Sequence, residues 1–372
     1  MKTVIDLFSG CGGLSKGFEQ AGFKTVFAND INPTCANTFK KNIDIEENCF
    51  FTGDINDIIR NYSKYSSLFK GVDVICGGPP CQGFSMANRQ RIIDDPRNVL
   101  YKSFLKILHK AKPKIFIMEN VRGMYKKIDE ILDDFNRMLG SSYNISCELI
   151  NAKDYGVPQN RERLFIIGNN IERDSNYIFK QVLKKKRNSY TLKEAISDLP
   201  PLGVNTNKNN TAIENEIVGF YKTEHKYSID NYYKFINGNR VMNYIYNHKN
   251  RYNNERDAEI FVRLPQGGNS LHSSISDIMP YKSRNHIFKD KYFKLKYDDI
   301  CKTITAHMKF DCNMYIHPTQ PRGLSPREAA RVQTFPDDFI FTGPQNSWYM
   351  QIGNAVPVKL ASIIGNEVIK CL

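Results

Sequence analysis

Over its first 170 residues the chain alternates short apolar runs with segments of helical spacing, and that alternation leaves few folds open. Lys2–Leu7 reads as a strand, 13–21 as a helix, 24–29 as a strand, and 33–41 as a helix with Pro33 at its start. A short strand at 49–51 and another at 72–76 follow, then a helix over 99–110 that stops before Pro113. A strand at 114–118 and a helix over Ile128–Leu139 come next, with further strands at 143–150 and 164–167. Such alternation predicts an α/β fold, a mostly parallel sheet with helices on both faces. Ligands of these sheets sit outside the C-terminal strand ends. Asp6 to Gly13, Asp30, Asp54, Cys81, Glu119 and Asn120 all fall there.

After the basic run 184–187 the pattern dissolves. Residues 200–260 are rich in Asn, Tyr and Lys, and read as a second, smaller domain or a set of long loops. Helical spacing returns in SPREAARVQTF (325–335), with Ser325 as cap and Pro326 first in the helix, and again over 356–369. LPQGGNS (264–270) and TITAHMKF (303–310) read as framework.

Hydrophobic residues make up 41% and charged residues 24% of the 372, the balance of an ordinary soluble protein. No apolar run approaches the roughly 20 residues that span a bilayer. MKTVIDLFSG enters a strand directly, so no signal peptide is expected, and a cytoplasmic protein is. Nine cysteines without a CxxC favour reduced thiols over a zinc site or a disulfide framework. Net charge is +13, and residues 181–310 hold 22 Lys+Arg against 13 Asp+Glu, so +9 of it lies in that stretch. The same stretch interleaves tyrosines, such as Tyr227, Tyr232, Tyr233, Tyr244, Tyr246 and Tyr252, with the basic residues. Phosphates suit Lys and Arg, and bases suit aromatics, so a nucleic-acid partner fits. A tyrosine-rich core under a solvated face fits as well.

Chemistry concentrates at the strand ends. DLFSGCGGLS (6–15) is strand, glycine turn, helix start, which lets backbone approach a ligand closely. Its spacing is not G-x-G-x-x-G and it carries no Walker lysine, so a pyrophosphate is not indicated. Asp30 is placed to accept ribose hydroxyls and Asp54 to meet an adenine amino group. A nucleoside cofactor without a phosphate chain, such as S-adenosylmethionine, suits the set. Each acid alone is as well explained as a cap or turn residue. In GGPPCQGFS (77–85), Pro79, Pro80 and Gly83 would fix a loop that presents Cys81, a nucleophile as its thiolate. A buried structural cysteine is the plainer alternative. MENV (118–121) puts Glu119 on the neighbouring strand end, so nucleophile and acid can work on opposite edges of one heterocycle. QNRERLF (159–165) adds Arg161 and Arg163 at alternating positions, both on one face, or else as a pair of surface charges.

DLFSGCGGLS, GDI (53–55), GGPPCQGFS, MENV, QNRER, SPREAARVQTFP and QIGNAVP, in this order, resemble the signature blocks of the DNA (cytosine-5)-methyltransferases. The likeness covers the chain except roughly 185–300, where that family places its variable target-recognition region. The resemblance implies a Rossmann-like methyltransferase fold, with 1–184 the catalytic and cofactor-binding domain. It makes 185–344 the target-recognition domain with its supporting framework, and 345–372 a segment returning to the catalytic domain. It implies S-adenosylmethionine as cofactor, double-stranded DNA as substrate, no metal, and attack of Cys81 on C6 of a flipped-out cytosine. Glu119 then protonates N3, Arg163 holds the cytosine with Arg161 as its structural partner, and Asn120 orients the Cys81 loop. Phe8, Gly10, Cys11, Gly13, Asp30, Ile31, Asp54, Ile55, Pro80, Leu100, Asn354, Ala355 and Val356 are expected around the cofactor. Asp30 stands where the family usually has a glutamate. The loop after Cys81 is expected on DNA, through Gln82, Ser85, Arg89, Arg91 and Arg97.

Two relatives of this fold compete with that reading. One is a tRNA cytosine-5 methyltransferase, whose characteristic Cys-Phe-Thr element is missing here. The other is a non-catalytic DNA-binding scaffold, opposed by the presence of Cys81, Glu119 and Arg163. A compact chain of catalytic blocks and one variable region resembles the bacterial restriction-modification enzymes. That implies a monomer working beside a separate cognate endonuclease.

Overall fold

The computed structural model describes residues 1–80, 100–171, 173–208, 211–280 and 289–372. Cys81, Gln82, Ser85, Arg89, Arg91 and Arg97 lie outside them. The chain divides into two compact units. Unit 1 is Met1–Tyr155, Arg161–Arg187 and Ala355–Leu372, and unit 2 is Gly156–Asn160 and Asn188–Asn354.

Unit 1 begins with β1 (Lys2–Leu7), α1 (Gly13–Gln20), β2 (Phe23–Asp30) and α2 (Pro33–Asn42). It continues with β3 (Phe50–Thr52), α3 (Ile55–Arg60), α4 (Tyr62–Phe69), β4 (Val74–Gly77) and α5 (Leu100–Ala111). Then come β5 (Ile115–Val121), α6 (Ile128–Leu139), β6 (Asn144–Asn151), β7 (Glu162–Asn169) and α7 (Ser175–Leu183). The seven strands form one sheet in the order β3-β2-β1-β4-β5-β7-β6. Neighbours from β3 to β5 run parallel, while β7 runs antiparallel to both β5 and β6. This is the mostly parallel, helix-covered sheet that the alternation predicts, and strand order reverses between β1 and β4, where such sheets bind ligands.

Both sheet faces are apolar because side chains alternate along each strand. Ile5, Leu7, Ile75, Phe116, Met118, Leu164 and Ile166 form one core with Ile58, Phe104, Leu108, Ile131 and Phe135 from α3, α5 and α6. The other parity, including Val4, Val74, Ile115, Ile117 and Ile167, is also fully buried. There α1 packs on the last helix of the unit, and the glycines permit it. A Cβ on Gly17 would stand 2.4 Å from the Ala361 Cβ.

Unit 2 contains α8 (Leu192–Ile196), β8 (Gly219–Glu224), α9 (Asn231–Asn237), β9 (Tyr244–Lys249) and α10 (Glu255–Arg263). It ends with α11 (Pro326–Val332) and α12 (Gln345–Asn354), after which α13 (Val358–Ile369) returns to unit 1. β8 and β9 pair as an antiparallel ribbon. Ser325 caps α11 as its sequence predicts, in a capping box with Glu328. All seven residues of α11 are buried, however, including three charged ones. Arg322 donates twice to Glu328, at 2.7 Å each. Arg331 holds Asp337 at 2.8 and 2.9 Å and also pairs with Asp198. Arg327 donates to the carbonyls of Tyr246, Pro336 and Phe339. Buried guanidinium groups are tolerable only when every donor is met like this. Several unit 2 tyrosines also belong to its interior, Tyr227, Tyr232 and Tyr233 among them, whereas Tyr244 and Tyr252 are exposed. Among the described residues no helix is long and apolar enough to cross a membrane.

Candidate active site

The turn after β1 is built on left-handed backbone, at Phe8 (φ 56°), Gly10 (φ 55°) and Gly12 (φ 96°). That conformation costs a non-glycine residue free energy, and Phe8 adopts it nonetheless. Gly13 opens α1 against the returning chain, and a Cβ there would lie 2.6 Å from the Val356 carbonyl oxygen and 3.1 Å from the Ala355 Cβ. Gly10 differs, because a Cβ on it would meet nothing within 4 Å. Its outer side is open space at the sheet's switch point. Cys11, beside it, is buried, and burial drives its thiol well above the ordinary range.

Asp30 ties this turn to the end of β2. Its carboxylate accepts from Gly10 N and from Asn32 N, each at 2.8 Å. Burial raises its pKa, and the two backbone donors oppose that rise. Each oxygen keeps a second lone pair for a ligand hydroxyl. Ile31, next in sequence, is 70% exposed, whereas Ile55 is buried in the α5 and α6 core. Asp54 is exposed and caps α3, accepting from Asn56 N at 2.8 Å. Val356 is buried, Pro80 is exposed, and Leu100 packs on the core edge. Asn354 closes α12 and belongs to unit 2.

Two further groups shape this edge: Asp6, which the sequence already places at a strand end, and Asn29, which it does not single out. Asp6 lies fully buried beneath the turn, where it accepts from Ser15 Oγ at 2.7 Å, and burial pushes its pKa up to about 7. Asn29 donates to the carbonyls of Phe51 and Gly53 at 3.0 and 2.9 Å, fixing the end of β3. A strand-end acid with a serine nine residues on was the readable signal for Asp6.

The second cluster sits where β4, β5 and β7 meet. Glu119 is 8% exposed, and its Oε1 is 3.0 Å from Arg163 Nε. Burial raises the Glu119 pKa, and Arg163 and then Arg161 oppose that rise. Burial likewise lowers the Arg163 pKa, against the pull of Glu119. The antiparallel register places Arg163 opposite Val121, two residues past Glu119. Arg161 precedes β7, is buried, and donates from Nη2 to the Ala355 carbonyl at 2.8 Å. Neither arginine is a free surface charge. Asn120 donates from Nδ2 to the Pro79 carbonyl at 2.8 Å and accepts Val121 N at 2.9 Å. Gly78 completes the approach, since a Cβ there would stand 3.1 Å from Glu119 Oε2.

The arrangement is a protonatable acid, desolvated beside a guanidinium, with the chain leading to Cys81 anchored on the same strand end. Such an acid is of the type that can donate a proton to a ring nitrogen.

Comparison with known proteins agrees with the motif order. Residues 2–370 match the family model for C-5 cytosine-specific DNA methylase. The type II methyltransferase M1.HphI of Haemophilus parahaemolyticus is 32% identical over 379 residues, covering 99% of this chain and 87% of that one. M.MthTI of Methanothermobacter thermautotrophicus is 33% identical, over 99% of this chain and 97% of that one. A solved E. coli structure, described as a DNA modification methyltransferase encoded within a prophage, superposes with a TM-score of 0.74 at 26% identity. It covers 100% of this chain and 99% of that one. The S. pombe Dnmt2 methyltransferase shares the fold, with a TM-score of 0.58 at 15% identity over 100% of this chain and 99% of that one. A glycine turn at the switch point, an acid–arginine pair at the β5 edge and a family match along nearly the whole chain converge, and the chain belongs to the C-5 cytosine-specific DNA methylases.

Proposed function

We propose that this chain transfers a methyl group from S-adenosylmethionine to C5 of a flipped-out cytosine at a specific site in double-stranded DNA, through a covalent bond between Cys81 and C6. The observation that carries the reading is the β5 edge. Glu119 is buried there against Arg163, and its neighbour Asn120 grips Pro79, two residues before Cys81.

The residues present fit the cofactor. Gly10 leaves an open side, Asp30 offers lone pairs to hydroxyls, Ile31 exposes an apolar surface, and no phosphate-binding loop accompanies them. When bound, S-adenosylmethionine supplies an electrophilic methyl group on a sulfonium. Phe8, Gly10, Cys11, Gly13, Ala355 and Val356 would line its site, and Asp30 and Asp54 would accept hydrogen bonds from its nucleoside.

At the cytosine, the Cys81 thiolate forms a bond to C6 while Glu119 delivers a proton to N3, so the ring's electron pair is localised toward C5. C5 takes the methyl group, the electron pair of the broken bond staying on sulfur as a neutral thioether. Loss of the C5 proton and return of the N3 proton to Glu119 then accompany elimination of Cys81 as thiolate and restore the aromatic ring. Covalent catalysis divides a substitution at an unreactive carbon into easier steps. Arg163 keeps Glu119 in place and holds the base, Arg161 supports it through Ala355, and Gln82, Ser85, Arg89, Arg91 and Arg97 meet DNA. The 185–344 segment reads the sequence around the target. A separate endonuclease of the same specificity is the natural partner, with methylation protecting host DNA from it.

The test is tritiated S-adenosylmethionine with duplex DNA containing 5-fluorocytosine, for the wild type and Cys81→Ala. Fluorine cannot leave as the C5 proton does. A denaturation-resistant, radiolabelled protein–DNA adduct is expected for the wild type alone. An adduct that forms on tRNA instead of DNA would replace this reading with RNA methylation.

A further inference from the structure

Three stretches of unit 1 backbone meet at the end of β2, and all three are tied to it. The turn after β1 is held through Ser9 N, which donates to the Asn29 carbonyl at 2.9 Å, and through Gly10 N on the Asp30 carboxylate. The start of α2 is held through Asn32 N on the same carboxylate. The turn after β3 is held through Gly53 N, which donates to the Asp30 carbonyl at 3.0 Å, and through the Asn29 side chain. The Asn29 amide brackets that turn, donating to the Phe51 carbonyl at 3.0 Å and to the Gly53 carbonyl at 2.9 Å.

Little else fixes the turn. β3 is three residues long and lies at the sheet edge, with β2 as its one hydrogen-bonded neighbour. Its ladder ends at Thr52, opposite Asp30. Gly53 brings no side chain, and a Cβ there would stand 2.8 Å from the Phe51 ring. Asp54 is exposed, and its carboxylate is turned to the start of α3. Asn29 is 1% exposed, so water does not stand in for its bonds. Burying an amide costs free energy unless its donors are met, and here the turn meets them.

We propose that Asn29 is a positioning residue for cofactor binding, which sets the 53–55 turn for the nucleoside end before the cofactor arrives. The inference rests on the S-adenosylmethionine reading above. Asn29 acts on Asp54 and Ile55 through the Phe51 and Gly53 carbonyls. A turn held in one conformation binds at its intrinsic affinity. A turn that is competent for about a tenth of the time binds about tenfold more weakly.

Thr25 supplies the control. It is also 1% exposed and lies in β2, but near the strand's other end. Dissociation constants are measured by calorimetric titration, well below the thermal midpoint of every variant. The ligands are S-adenosylmethionine and 5′-methylthioadenosine, which keeps the nucleoside and lacks the amino acid. The proteins are the wild type, Asn29→Ala, Asn29→Ser and Thr25→Ala. Asn29→Ala is expected to weaken both ligands by the same factor, about tenfold. Asn29→Ser, which keeps one donor, should recover part of that loss. Thr25→Ala should lower the thermal midpoint and leave both constants unchanged. Affinity for duplex DNA should stay at the wild-type value in all three variants. Unchanged constants in Asn29→Ala overturn the proposal, as does a loss seen with S-adenosylmethionine but not with the nucleoside. An equal loss in Thr25→Ala also overturns it, because Asn29 would then act only through general packing. A wild type that binds neither ligand instead removes the cofactor reading itself, an outcome distinct from a binding wild type matched by Asn29→Ala.

Discussion

The side-chain amide of Asn120 donates to the carbonyl of Pro79 at 2.8 Å, and both groups are buried. This single bond joins the end of β5 to the segment that leads out of β4 toward Cys81. Asn120→Ala leaves the Pro79 carbonyl without that donor, a cost of about 1–3 kcal/mol. The expected outcome is a fall of about tenfold or more in kcat for DNA methylation. Equilibrium binding of S-adenosylmethionine should change far less, because of its proposed contacts only Pro80 adjoins this bond. Calorimetric titration beside single-turnover methylation checks both.

Glu119→Gln removes the proposed proton donor while keeping the side-chain volume. General acid catalysis contributes about 10²–10⁴-fold, so single-turnover methylation should slow by that order. Adduct formation with 5-fluorocytosine DNA should slow with it, because attack at C6 depends on protonation at N3. A variant that forms adduct at the wild-type rate would remove Glu119 from the mechanism.

Asp6 gives a pH dependence of stability. Its pKa moves from 3.8 to about 7 because burial penalises the carboxylate. The folded chain therefore binds this proton more tightly than the unfolded chain. The associated stability is fully present below about pH 4, and it is lost as pH rises toward 7. The loss is about 4 kcal/mol. Asp6→Asn keeps an acceptor for Ser15 and cannot ionise. Its thermal midpoint should rise relative to the wild type as pH increases from 5 to 8, as scanning calorimetry across that range would show.

Arg331→Met strands two acids that the guanidinium now pairs with, the buried Asp337 and the half-buried Asp198. Removing one partner of a buried pair costs about 3–5 kcal/mol. A lower denaturant midpoint in urea is expected. Replacing Arg331, Asp337 and Asp198 together by apolar residues should recover part of the loss, because no uncompensated charge is then left behind.

Much of unit 1 was legible because its signals are local. The alternation of apolar runs and helical spacing marks β1 to β5 within a few residues, and Pro33 and Gly140 mark helix ends. The pairing of β7 between β5 and β6 was not legible, since nothing local in 162–169 specifies a neighbour or a direction. Asp54 shows the ambiguity of a strand-end acid: it caps α3, and that local bond accounts for its position whether or not adenine also meets it. Ile55 follows the apolar rule and faces the core. The arginines of α11 were least legible. A sequence cannot say that Asp337, Asp198 and several carbonyls will converge on them, and the helical reading of 325–335 carried no statement of their burial.

The reversed strand β7 has a consequence for how this enzyme tolerates change. Arg163 reaches Glu119 only through the register that sets Val121 opposite Arg163. Side chains on a strand alternate between faces, so a slip of one residue sends the guanidinium to the wrong side of the sheet. A single-codon insertion or deletion at the start of β7 is therefore expected to break the Arg163–Glu119 pair even if the strand re-pairs and the protein accumulates. The same lesion in the loop before it can be absorbed. The β5–β7 pairing behaves as a ratchet with one permitted notch, which the surrounding loops do not set.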